Sequence, residues 1–313
     1  MPLLTLPDQD SGLQVTAQEL IGLRHRARNL VFRSKRPVSS VIAGVHVSRF
    51  RGRGVDFLES RNYMVGDDIR NLDWKVTART GKPHTKVFQE ERERPIITLL
   101  DLNPSMYFGT RKRLKVVQAA RLAATIGWAT TRRGDRIGGL IYSGDAHHEV
   151  RPAGGRRGAL RFISLITRWA ENYTPVDFTH HSEGLSEALK RLRRIARPGS
   201  LVFLISDFYA ANDQCERHLA YLRKHNDVIA CQVLDAIEKE PPPPADYPVS
   251  DGIHSGLLDL SGLGRKRFVQ FFQKQQELVN DMLRQQGIAR IAVQGEDDAA
   301  EALARLFKRR EVA

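Results

Sequence analysis

Residues 51–105 read RGRGVDFLESRNYMVGDDIRNLDWKVTARTGKPHTKVFQEERERPIITLLDLNPS. Most of this stretch is charge, glycine and turn-forming residues. It closes on a short apolar run, Pro95-Ile96-Ile97-Thr98-Leu99-Leu100-Asp101. A run of that length, aliphatic, β-branched and flanked by charge, predicts a strand buried on both faces, as in the middle of a parallel sheet. Asp101 then stands at the strand's carboxyl end, where open α/β sheets place their ligands. The block before it is too polar for core. Gly52, Gly54, Gly66 and Gly81 mark turns between short extended pieces, with strands expected at Val45 and Val47 and again at Val87.

Working outward, Leu201-Val202-Phe203-Leu204-Ile205-Ser206-Asp207 repeats the pattern of a buried strand ending in an aspartate. Further strands are expected over 137–142, 228–234, 257–260 and 288–293, with a short edge strand at 148–151. Between them lie helical patterns over 110–133, from Gly154-Gly155 onward, and over 183–195, 265–286 and 301–310. Val117, Ala120, Ala124 and Gly127 give the first of these a small-residue face suited to close packing on a sheet. Pro241 to Pro244 predicts an extended loop. Strands alternating with helices define an α/β fold with a doubly wound, mainly parallel sheet. Ahead of it, Leu20, Leu23, Ala27, Leu30 and Val31 predict an amphipathic helix over 17–32. Arg24 and Arg28 lie outside its apolar stripe, and Thr16 with Glu19 offers a capping box. It is expected to dock on the body of the protein.

The chain has 313 residues, 41% hydrophobic and 27% charged, enough for one large domain with a smaller companion. No apolar run approaches the roughly 18 residues of a membrane span, and the N-terminus lacks a signal pattern, so a cytoplasmic protein is expected. Cys215 and Cys231 read as small core residues. The net charge is +13, and residues 24–94 hold 17 Lys/Arg against 8 Asp/Glu. That regional excess attracts acidic partners, so a nucleic-acid- or anionic-surface-binding protein is the alternative reading. Acids interleave the bases, and no series of stacking aromatics accompanies them, which argues against nucleic acid.

The ordered residues Gly52, Gly54, Phe57, Arg61, Tyr63, Gly66, Asp67, Asp68, Arg70, Asp73, Trp74, Ala78, Arg79 and Thr80 are followed by Glu90-Glu91 and the strand to Asp101. Together they closely resemble a bacterial family, domain of unknown function fifty-eight. Its genes commonly sit beside those of MoxR-type AAA+ ATPases. The resemblance implies a von Willebrand factor A-like α/β domain over 95–313, preceded over 1–94 by an arm, a basic helix and the charged glycine-rich family segment. It implies a MoxR-type ATPase as partner, and a client protein that the sequence does not identify. The family-motif residues Arg61, Asp67, Asp68, Arg70, Asp73 and Arg79 are expected to form one ion-paired network in a non-helical segment, anchored by Tyr63 and Trp74.

Asp101, Ser105 and Asp207 also resemble the metal-ion-dependent adhesion site of von Willebrand factor A domains. There an Asp-x-Ser-x-Ser loop, a threonine and an aspartate hold a hard cation. Asn103 stands where the first serine belongs, and no hydroxyl is found around Gly154 to Gly158 where the threonine is sought. The expected cofactor is therefore none, or weakly bound Mg²⁺, with a guanidinium of the Arg156-Arg157 neighbourhood supplying positive charge. Nothing else suggests catalysis. Gly52-Arg53-Gly54 lacks the remainder of a P-loop, there is no Gly-x-Ser-x-Gly elbow, and His84, His147, His148, His180 and His181 lack ligand-like spacing. A metal-dependent hydrolase using Asp101 and Asp207 would lack a general base. A non-enzymatic adaptor is expected.

Overall fold

The computed structural model describes residues 12–32, 55–90, 94–144, 146–171, 184–250 and 255–312. These fall into two compact units: residues 12–32 with 94–312, and residues 55–90. The N-terminal helical region thus packs with the α/β body, whereas the sequence division at 94 placed it with the charged segment.

Helix α1 (Ala17–Gly22) starts where Thr16 accepts the Glu19 N–H at 3.3 Å. Only half of the expected capping box forms, because the Glu19 carboxylate is engaged by Arg121. The single helix expected over 17–32 is also interrupted. It ends at Gly22, a poor helix residue, and resumes as a short 3-10 turn, Arg26–Asn29. Most of its apolar stripe nonetheless does what the pattern demands, although Val31 is 43% exposed. Leu20, Leu23, Ala27 and Leu30 are buried, and Trp128 Nε1 donates to the Leu20 carbonyl at 2.9 Å.

The smaller unit is an antiparallel pair, β1 (Val55–Asn62) with β2 (His84–Glu90), joined through helix α2 (Trp74–Thr80). The helix corrects the non-helical expectation. Asp73 caps its start by accepting the Val76 N–H at 3.2 Å, and Gly81 ends it with φ +69° in the left-handed region. The strand expected at Val87 lies in β2, while Val45 and Val47 fall outside the described residues.

The body is built on six strands: β3 (Pro95–Asp101), β4 (Arg136–Ser143), β5 (Ala146–Gly154), β6 (Leu201–Ser206), β7 (Asp227–Leu234) and β10 (Ala289–Gln294), in spatial order β10-β7-β6-β3-β4-β5. All neighbours are parallel except the edge strand β5, which is antiparallel to β4. One face is covered by α1, α3 (Lys115–Thr130), α4 (Gly155–Glu171) and α9 (Ala299–Val312). The other is covered by α5 (Gly184–Ile195), α6 (Asp213–His225) and the distal part of α8 (Gly262–Gln285). Side chains of β3 alternate between the two cores: Ile96 and Leu100 in one, Ile97 and Leu99 in the other. Every residue of α3 is buried, and its Gly127 is bordered by Phe162 of α4 as well as by Ile137 of β4. Gly139 has φ +156°, and a β-carbon there would fall 1.9 Å from the Thr98 carbonyl oxygen, so close strand approach requires glycine.

Beyond β7 come a four-residue helix α7 (Ala236–Lys239), the proline loop and a hairpin, β8 (Asp246–Ser250) with β9 (Ser255–Asp259). Among the described residues, no helix is long and apolar enough to cross a membrane. The chain enters the sheet at β3, runs outward to β5, then returns to β6 and runs outward the other way. The reversal between β3 and β6 is a topological switch point, and both strand-end aspartates lie at it.

Candidate functional site

Parallel pairing of Leu100 with Ile205 brings the carboxyl ends of β3 and β6 side by side. Asp101, 3% exposed, is held there by two donors. The Asn103 N–H reaches Oδ1 at 2.9 Å and the Ser206 hydroxyl reaches Oδ2 at 2.5 Å. Its register partner on β4 is Tyr142, whose buried hydroxyl makes no hydrogen bond of normal geometry. Burial, with the Asp207 charge adding to it, pushes the Asp101 carboxyl up to about 6.

Of the other expected ligands of the first loop, Asn103 is engaged elsewhere and Ser105 is not. The Asn103 amide oxygen accepts the Gly144 N–H at 2.7 Å, tying the loop after β3 to the β4–β5 turn. Ser105 lies half-buried in the 3-10 turn Pro104–Tyr107, and its hydroxyl makes no hydrogen bond with any described residue.

Asp207 follows β6 and is 2% exposed. The next residue, Phe208, adopts φ +62°, the one positive φ among described non-glycine residues. This turn is fastened by the Phe208 N–H to the Ser206 Oγ at 2.9 Å and by the Tyr209 N–H to Asp207 Oδ1 at 3.1 Å. Asp207 Oδ2 accepts from the Lys115 ammonium at 2.9 Å. The same ammonium donates to Glu238 Oε1 at 2.8 Å and lies 4.7 Å over the Tyr209 ring. Glu238, on α7, uses its second oxygen to accept the Asp235 N–H at 3.1 Å. Asp235 in turn accepts from the Thr110 hydroxyl at 2.5 Å and its N–H at 2.9 Å. Loops after β3, β6 and β7 are thereby joined through one cation.

Sequence reasoning missed Lys115 and Glu238. Burial pulls the ammonium's pKa down, but Asp207 and Glu238 outweigh it and hold the lysine above its usual range. Burial raises Glu238, and the lysine opposes it only in part. The positive charge beside Asp207 comes from this lysine and not from the arginines considered on sequence grounds, since Arg156 and Arg157 are exposed in the first turn of α4. A lysine at the first position of a helix is contrary to the helix dipole, which favours anions there. That mismatch, within the basic run 111–115, was the available signal.

The family segment does not form the expected single network. Arg61 pairs with Asp67 at 2.7 Å, and Asp67 also accepts the Met64 N–H. Asp68 accepts the Arg70 N–H, while Asp73 accepts the Ser60 hydroxyl at 2.6 Å and caps α2. Arg70 and Arg79 make no ion pair among the described residues. The Tyr63 hydroxyl donates to the Asp67 carbonyl at 3.2 Å, and Gly66, φ +109°, completes that turn. Trp74 is 69% exposed within this unit, so it is not a packing anchor there. Each acid closes its own turn, which sequence density alone could not distinguish from a network. Among the described residues, no group of three or more His, Cys, Asp or Glu is arranged to hold a metal ion.

The fold is thus an α/β class with a site at its switch point. A family model, "Protein of unknown function DUF58", matches residues 59–278, and the chain belongs to that family. Uncharacterized proteins of Mycobacterium tuberculosis and Mycobacterium bovis are 31% identical over 231 residues, covering 74% of this chain and 71% of theirs. Among solved structures, the conserved hypothetical protein BatB of Bacteroides thetaiotaomicron aligns over 70% of this chain and 100% of its own, at 15% identity and a TM-score of 0.41. An aerotolerance-related membrane protein of Bacteroides fragilis aligns over the same shares at 12% identity and a TM-score of 0.44.

Proposed function

We propose that the chain is a non-enzymatic adaptor that works with a MoxR-type AAA+ ATPase in assembling or maturing other proteins. The observation that carries this reading is the closure of the switch-point site. Asp101, Asp207, Glu238 and Lys115 are all buried and engaged with one another or with the backbone. Catalytic acids and bases need access to a substrate proton, whereas these groups fix the shape of the loops around them. The exposed apolar side chains Met64, Val65, Ile69 and Trp74 of the family segment suit a protein-binding surface. The named partner rests on the family resemblance and on the lack of a P-loop in the sequence.

The test is co-purification with a MoxR-type ATPase of the same organism, together with ATP turnover measured with and without the chain. Binding, or a changed turnover, with no hydrolysis by the chain alone is expected. Silence in both assays overturns the reading. Salt-sensitive retention on duplex DNA in their place would favour the anionic-surface alternative.

A further inference from the structure

The acidic cluster at the switch point already contains a cation. Lys115 Nζ bridges Asp207 Oδ2 and Glu238 Oε1, with the Tyr209 ring covering it and 2% of the lysine exposed. We propose that Lys115 is the resident cation of this site, taking the part that a divalent ion plays in an adhesion-type site, so that the carboxyl-end face is complete without a metal.

The donor set supports this independently of the adaptor reading. Mg²⁺ demands near-octahedral oxygen ligands at close range. Here both oxygens of Asp101 already accept, from Asn103 and Ser206, and both of Asp207 already accept, from Tyr209 and Lys115. The Asn103 amide oxygen is engaged with Gly144. A divalent ion on Asp207 would lie against the ammonium, a like charge in a buried site. The position of the lysine points the same way. At the first residue of α3, a cation opposes the helix dipole, and the two facing carboxylates are what make it favourable. A metal-centred site leaves a coordination position for a partner's carboxylate. A buried ammonium presents none, so a partner meets the loops that Lys115 holds together and not the cation itself.

The experiment titrates Mg²⁺ and Mn²⁺ alone into the full chain, reading calorimetric heat and melting temperature, with chelator as control. Wild type should give no binding heat and no shift. Lys115→Ala should melt lower and regain part of the loss on adding Mn²⁺, because Asp207 and Glu238 are left facing an empty place. Lys115→Arg should lose less than Lys115→Ala. A wild-type shift with either ion that Asp207→Ala abolishes would overturn the proposal. So would a folded Lys115→Ala that melts like wild type or ignores Mn²⁺. Should Lys115→Ala not fold, the wild-type titration decides alone: a metal response refutes, and silence supports.

Discussion

Two ion pairs of nearly equal length lie in different units of the chain. Lys115–Asp207 measures 2.9 Å and Arg61–Asp67 measures 2.7 Å. The first pair is 2% exposed at both side chains, whereas the second is 39% and 20% exposed. Distance therefore says little about what each does. The buried pair has lost its water, so removing one member strands the other in a medium that cannot solvate it. The exposed pair keeps its water, and either member can turn to solvent. Desolvation, not proximity, separates a charge that fixes three loops from one that decorates a turn.

The comparison is broken most easily by Asp207→Ala. Leaving Lys115 with one carboxylate should cost about 3–5 kcal/mol, read by urea or thermal unfolding. A loss no larger than that of Arg61→Ala would refute the distinction. Asp73→Ala should act next in size and only locally. It removes the cap of α2 and the Ser60 contact, so amide exchange should quicken at Val76 while the melting of the larger unit stays put. A fall in the global melting temperature would restore the idea of one network.

Arg26→Ala should have the smallest effect, and it sharpens the comparison through pH. Burial alone would raise the Asp298 carboxyl. The Glu301 N–H and then Arg26, 2.6 Å away, bring it below its usual value. A depressed acid contributes stability above its unfolded pKa and loses it as pH falls through the folded value. Wild type and Arg26→Ala should therefore differ in melting temperature at neutral pH and converge in acid below the usual aspartate range. A difference that persists there would place the effect in packing.

The sheet was legible because its strands announce themselves. PIITLLD and LVFLISD are short, apolar and bounded, and each ended in the aspartate expected at the switch point. Helix α2 was hidden because charge and glycine around it resemble a loop, although Asp73 and Gly81 are its two caps. The site was half visible. Asp101 and Asp207 lie at strand ends, which pattern reveals. Lys115 and Glu238 converge on Asp207 from positions 123 residues apart in sequence. Of the neighbouring cations Arg111, Lys112, Arg113 and Lys115, the fold buries both Arg113 and Lys115, and only the helix-start position sets apart the one that meets Asp207.

A cation attached to the chain also cannot dissociate. A metal-dependent interface has an empty state and a loaded one, and their ratio follows the ion's supply. Lys115 is delivered to its carboxylates by the backbone, at an effective concentration set by the fold itself. The two states collapse into one. With Lys115 as the resident cation proposed above, folding takes the place of ion loading and metal supply sets no threshold for this face.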